Sequence, residues 1–462
     1  MQHRSATWRG TVPDGLSGVN AAPLLDARAM LYSRVLHDET RVNLDWRRLK
    51  AVVLESDDWG LCAWSADEQA LRVLADTPAF RSPSGRRYAG STLESAAEVR
   101  ALAETLAEFR GGDGFPPVWQ PNLVVAAPDY PRLRAPQFEC DHVPLLDYPE
   151  VPPRWRRPGA WNEMLKAAEE GLWWPELHGL HHIPETGWLV ALRRGIADAR
   201  RAHEQQSAVC TAVEVSGEYD PSEPPRDRTR RLELAVAKFS ALLGRVPTSF
   251  CPPDYRWDER TEADAERLGI RILQGRGEQH GARFPRLRRA LLRQRWPGDF
   301  NPRLDMPPRI AFEPRALETS AERVNAEAVQ RAAREAWQRG QPAVVSTHRV
   351  NYVHLDPSWS AAGRAQLRDL LMRLVSDGAV FVTDSEVRQL LERSWSLREI
   401  GGRGVLVRYY GVPREPIRFP ARMGTTRVSI REGRGPEDVT VTLEGDEVMA
   451  RLNVGEYLLE WK

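Results

Sequence analysis

The chain is poor in cysteine for its length. Of 462 residues, only Cys62, Cys140, Cys210 and Cys251 are cysteines, they lie far apart, and no CxxC pair occurs. Neither a zinc ribbon nor a disulfide framework is indicated. Net charge is almost absent too: 65 Lys and Arg oppose 64 Asp and Glu, leaving +1. That balance argues against nucleic acid or an anionic membrane as a bulk electrostatic partner. The basic run Arg286 to Arg295 reads most simply as a solvated helix face. No stretch of about 18 apolar residues suggests a membrane span, and the first ten residues lack the apolar core of a signal peptide. The expectation is a soluble, cytoplasmic protein. Internal repeats of the solenoid or propeller type are missing as well.

What is present is enough apolar material, 42% of residues, to bury a large core. The length suits two or three units, or one large barrel with an appendage. Residues 1–45 read as a lead-in packed on the main domain. From about residue 46 to 398, strands alternate with helices, which argues a parallel sheet with helical crossovers and, with this many units, a distorted (β/α) barrel. Expected helices include Thr186 to Gln206, Arg228 to Leu243 ended by Gly244, and Ala326 to Arg339 capped by Asn325. A strand is expected over Ala208 to Val215. Ser91-Thr92-Leu93-Glu94 fits a capping box opening a helix that runs to about Phe109. A long insertion, about 61–175, interrupts the early barrel. Residues 399–462 show short strands and turns without helical periodicity, a small all-β module.

Four stretches carry candidate chemistry. Val52-Val53-Leu54-Glu55-Ser56-Asp57-Asp58-Trp59-Gly60 is a buried-strand pattern ending in two adjacent carboxylates. Like charges so placed raise each other's pKa, a cost that a cation or a proton-transfer role offsets. In His178-Gly179-Leu180-His181-His182, the outer histidines are four apart and would face the same way on a helical turn. Two imidazoles and a carboxylate make a three-ligand metal site with an open position. His181 is the spare, expected to pack a loop. Phe250-Cys251-Pro252-Pro253-Asp254-Tyr255 follows a strand and is stiffened by its prolines. Ser346-Thr347-His348 ends another strand. In α/β barrels the carboxyl ends of strands converge on one face, so these groups are expected to meet.

In this order and spacing the stretches resemble the polysaccharide deacetylase family, carbohydrate esterase family 4, over roughly residues 46 to 395. The family's Asp-Asp pair is matched by Asp57-Asp58, its His-x-x-x-His motif by His178 and His182, its proline-rich motif by Pro252 to Tyr255, and its final histidine motif by His348. A fourth motif falls near Gln274 to Glu278. The resemblance implies a metal-dependent hydrolase that removes an acetyl group from an amino sugar or glycan. It implies that Asp58, His178 and His182 bind one divalent metal, with zinc as the default, that Asp57 is the general base and that His348 is the general acid. Trp59, Pro253, Tyr255 and Arg349 are candidate substrate contacts, with Trp174 a further one, and a backbone N–H of Pro252 to Tyr255 is the candidate oxyanion donor.

Two departures stand out. Gly179 replaces the family's hydroxyl residue, and Cys251 replaces the arginine that orients the base. Arg256, Arg276 and Arg349 are candidates to stand in for it. Three other readings stay open: a hydrolase of a small amide or cyclic imide, a glycan-binding protein with a vestigial site, and a metal-independent structural protein. The partner expected under the first reading is a carbohydrate or small acetylated substrate.

Overall fold

The computed structural model describes residues 44–214, 217–315, 324–401, 404–436 and 438–462. The expected lead-in over 1–45 lies outside these, apart from its last two residues.

Strand β1 (Ala51–Trp59) is the axis of the main sheet. Its Ala51, Val52, Val53 and Leu54 are all buried, each of the three larger side chains worth about 1.5–3 kcal/mol of transfer free energy. Around it lie β2 (Trp119–Val124), then a short antiparallel pair, β3 (Ala126–Pro128) and β4 (Leu145–Asp147), inside the long insertion. The main sheet continues with β5 (Glu176–Gly179), β6 (Ser249–Phe250), β7 (Ile272–Leu273), β8 (Leu304–Asp305), β9 (Ile310–Ala311), β10 (Ala343–His348) and β11 (Val380–Phe381). Its order is β8-β7-β6-β5-β2-β1-β10-β9, with β11 added against the first two residues of β1. Every pairing in it is parallel. The sheet curls with helices around it, a distorted (β/α) barrel as expected. Among the described residues it does not close by hydrogen bonding. Its edge strands β8 and β9 are joined instead by the four-residue run Met306-Pro307-Pro308-Arg309.

The local expectations fare unevenly. Helices Pro225–Leu243, with Gly244 at φ 68°, and Ala326–Gln338, with Asn325 accepting from the Ala328 N–H, form as read. The expected helix Thr186 to Gln206 is two helices, Glu185–Arg193 and Ala197–Glu204, parted at Gly195 in the left-handed region. The expected strand at Ala208 to Val215 is absent: Thr211–Glu214 is a helical turn, so β-branched propensity yields to tertiary context. The capping box lies one turn later than read, at Ser95 and Glu98 of helix Ala96–Ala107. Glu94 is freed for another task, accepting from the Gly60 N–H and from the Arg349 guanidinium.

After helix Asp384–Arg393 the chain enters the β module. One sheet holds β12 (Trp395–Ile400), β13 (Gly404–Tyr409), β15 (Val428–Arg434) and β18 (Gly455–Trp461); the other holds β14 (Pro416–Pro420), β16 (Thr440–Glu444) and β17 (Glu447–Arg451). Both are antiparallel and share a core that includes Val407, Phe419, Val448 and Leu459. The first strand starts at Trp395, ahead of the change of pattern read in the sequence.

Candidate active site

Adjacent residues of a strand face opposite sides, so Asp57 and Asp58 should diverge. They do not, because β1 is bulged there. Its register against β2 shifts between Ser56 and Trp59, and Asp58 takes φ 74°. A bulge of this kind re-aims a side chain. The β2–β5 register shifts in the same way around His178. Asp58, His182, Asp254 and Tyr255 all lie in the left-handed region. Such non-glycine residues are uncommon, and their clustering marks a functional site.

Asp58 sits between the two imidazoles. Its Oδ1 is 3.4 Å from His178 Nε2 and 3.6 Å from His182 Nε2. The three donor atoms lie within 4.8 Å of one another. His178 is the last residue but one of β5 and His182 lies in the bend beyond it, so a strand-to-bend turn, rather than the expected helical turn, brings them together. His178 Nδ1 donates to the Cys251 carbonyl at 2.8 Å, so Nε2 is the nitrogen that faces Asp58, carrying a proton there in the metal-free imidazolium and a lone pair once the ring is neutral. That second hydrogen bond is how metal-ligating histidines are oriented. The donor set and its tautomer therefore fit a divalent cation. The bend itself hangs on Glu218, whose carboxylate accepts from the Leu180, His181 and His182 N–H groups. A Cβ at Gly179 would meet Glu218 Oε2 at 2.5 Å. Glu218, which sequence reasoning passed over, thus occupies the space that a side chain at position 179 would need. His181 is buried, bonded to Glu185, and plays the packing part expected of it.

Asp57 is held on the other side. Arg309 donates to its Oδ2 at 2.6 Å and to its Oδ1 at 3.2 Å, and Asn122 donates to Oδ1 at 2.6 Å. Gln274 accepts from both Arg309 and Asn122, which locks their orientation. The Arg309 Nε faces Glu55 at 2.5 Å. Burial pushes the Asp57 carboxyl up, but Arg309 and the His178 and His348 imidazoles outweigh it and hold it well below the usual carboxylate range. Asp58 is likewise buried yet held low, by the hydrogen bond to His178 and the charges of His348 and His182.

Arg309 is the guanidinium that holds Asp57. None of the three arginines named from the sequence fills that role: Arg256 pairs with Asp220, Arg276 with Glu262 and Arg349 with Glu94. Cys251 lies next to Asp57, its Sγ 3.8 Å from Asp57 Oδ2. Burial pushes its thiol well up, so it stays a neutral neighbour.

His348 pairs in register with Asp57 across β1 and β10, its Nε2 3.9 Å from Asp57 Oδ2. Its Nδ1 faces Glu313 Oε1 at 2.5 Å, and Asn351 donates to Glu313 at 2.7 Å. Burial lowers the imidazole pKa, but the Glu313 carboxylate prevails and raises it to about 9. Tyr88 stands edge-on to His348 and stacks on Trp64, a wall supplied by the insertion.

The expected substrate contacts divide. Tyr255 lines the cleft, its hydroxyl accepting from Arg309. Pro253 is buried beneath it. Trp59 is 0% exposed, donates to Ser56 and packs edge-on to Trp173, so it has no face to offer a sugar. Arg349, buried against Glu94, has none either. Trp174 lies before β5, at the amino end of the sheet, under the Arg245 guanidinium. The Tyr255 N–H, one of the expected oxyanion donors, is committed to the Pro252 carbonyl.

No protein-family model and no curated protein matches the chain. Among solved structures it is similar to one described as a polysaccharide deacetylase from Mycobacterium smegmatis, at 12% identity and a TM-score of 0.34, over 74% of this chain and 90% of that one. It is also similar to Agd3, described as a novel carbohydrate deacetylase, at 10% identity and a TM-score of 0.35, over 89% of this chain and 66% of that one. A third is a mutant of a carbohydrate esterase family 4 pseudoenzyme with restored enzymatic activity, at 9% identity and a TM-score of 0.30, over 74% and 66%. Likeness of fold at this distance carries no activity across.

Proposed function

We propose that the protein is a metal-dependent hydrolase that removes an acetyl group from the nitrogen of an amino sugar or related glycan. One observation carries the reading. Two sequence neighbours, Asp57 and Asp58, are turned into one cleft by a bulge, Asp58 towards two imidazoles and Asp57 towards a guanidinium and a third imidazole.

Asp58, His178 and His182 would hold the cation. When bound, it supplies Lewis acidity, polarising a carbonyl and bringing the pKa of water down towards about 7. The chain's own groups do the rest. Asp57 stays ionised between Arg309 and Asn122 and takes the proton of the attacking water as general base. Arg309 fixes the carboxylate's plane through two hydrogen bonds. His348, kept protonated at neutral pH by Glu313, gives a proton to the departing amine nitrogen. Tyr255 closes the cleft beside Asp57, and Trp64 with Tyr88 forms the wall beside the acid. Arg309 also removes the motive for a vestigial site, which was the loss of an arginine at Cys251.

The test is elemental analysis of the purified protein beside His178→Ala, followed by acetate release from N-acetylated sugars. A near-stoichiometric metal that the variant loses, with acetate released by the wild type alone, is the expected result. No metal in either sample after reloading sinks the proposal.

A further inference from the structure

The basic run forms helix Pro285–Arg295 and presents a solvated face, as read in the sequence, but that face is not purely basic. Helix Pro285–Arg295 leaves no side chain fully buried. Arg288, Arg289 and Leu292 are its part-buried side chains, and the Arg293 carbonyl accepts from Gln341. The three part-buried residues recur at i, i+1 and i+4 and define its inner face. The outer face carries Leu287 and Leu291, exposed at 57% and 39%, and Phe284 at the N-cap is exposed at 74%. Arg286, Arg293 and Arg295 are exposed around this apolar stripe, and the helix contains no acid. Arg289 ties it to the cleft, donating to the Arg309 carbonyl and pairing with Glu278.

The geometry points to an anionic phospholipid surface as the partner of this helix. A short amphipathic helix with exposed leucines, an exposed phenylalanine and arginines beside them is suited to lie in the interfacial plane. The arginine stems reach along the apolar stripe while their heads meet the phosphates. The occupant is chosen by shape and charge. A nucleic acid is held chiefly by cations, whereas here Phe284, Leu287 and Leu291 are exposed among the arginines. A second copy related by a twofold axis would set this acid-free, arginine-rich patch on itself. Arg283, exposed just before the helix, adds to the same field. The near-zero net charge of the whole chain does not oppose this, since attraction to lipid acts within about a Debye length of the patch.

The full chain is sedimented with phosphatidylcholine vesicles, with and without about 30% phosphatidylglycerol, at about 0.1 M and about 0.5 M salt. Two variants run beside it, Leu287→Glu/Leu291→Glu and Arg286→Glu/Arg293→Glu, with thermal melting as the check on folding. None of the four residues belongs to the catalytic machinery. The expected result is binding to the anionic vesicles alone, weakened by salt and reduced at least about tenfold in each variant. No binding to anionic vesicles overturns the inference. So does binding that survives the leucine variant, which would mark a site for soluble polyanions. Concentration-dependent dimerisation lost in the leucine variant would overturn it in favour of a second copy.

Discussion

Arg408 and Arg309 are both almost wholly buried, and each faces two carboxylates. Arg408, in the β module, donates to Asp113 at 2.7 Å and to the Phe381 carbonyl at 3.0 Å, and pairs with Glu386. Arg309, in the cleft, pairs with Asp57 and Glu55. By burial and charge the two sites look alike. They differ in what the carboxylates see next. Asp113 and Glu386 face further structural groups, among them Arg398 at 3.6 Å from Glu386 and the Phe115 N–H at Asp113. Asp57 has His348 and His178 before it and a backbone bulge beneath it. A buried ion pair alone is therefore poor testimony of function. The same pair with one carboxylate aimed at titratable groups, beside residues in the left-handed region, is better testimony.

The largest effect expected is on the open carboxylate. Asp57→Asn keeps the shape and the Asn122 contact but cannot accept a proton, so acetate release should fall about 10²–10⁴-fold. The metal content should be unchanged, since Asp58 and the two histidines are untouched. Loss of metal in this variant would move Asp57 from base to ligand.

The comparison breaks most directly on the arginines themselves. Arg309→Met and Arg408→Met each leave buried carboxylates unpaired, and each should cost about 3–5 kcal/mol in denaturant unfolding. Their activities should separate. The folded fraction of the Arg408 variant should turn over within about twofold of wild type, because the sites share no partner. The Arg309 variant should lose most of its activity beyond the stability loss. Equal activity losses would mean that the module is coupled to the cleft.

Why most of the site was legible and Arg309 was not has a physical cause. The barrel, its strand β1 and the residues Asp57, Asp58, His178, His182 and His348 all follow from strand–helix alternation and polar groups at strand ends. Arg309 lies between two two-residue strands, β8 and β9, with two prolines just before it. So short a stretch has no periodicity to read. Its partnership with Asp57 spans 252 positions, which local pattern does not reach. Glu313, Glu218 and Asn122 escaped notice for the same reason: each acts on a distant segment. Trp59 misled in the opposite direction. Its place beside the acids suggested a sugar contact, but on a strand buried on both faces the side chain after a bulge turns inward.

His348 offers a smaller and sharper test. Its raised pKa comes from Glu313, so in metal-free protein the imidazole should titrate near 9 by NMR. In Glu313→Gln it should move back towards about 6.5. The sign for stability follows from linkage. A histidine raised on folding contributes fully below its unfolded value, and the contribution is lost as pH rises through about 9. The wild type should therefore lose stability between about pH 6.5 and 9, and the variant's curve should be flatter there. An unmoved titration would assign the shift to Asp57 and Asp58 instead.

The smallest effect is expected at the residue that looked most damaging in the sequence. Cys251 stands where the resemblance expects an arginine, and its thiol touches Asp57. If Arg309 does the orienting, Cys251 is packing. Cys251→Ser exchanges a buried neutral group for another of similar shape that can donate to the same carboxylate. It should change stability by no more than about 1 kcal/mol and leave turnover and metal content near wild type. A large loss would mean that the thiol, which lies with Asp57 and His178 in a second three-donor cluster, takes part in binding the ion. The chemistry would then have to be rebuilt around a sulfur ligand.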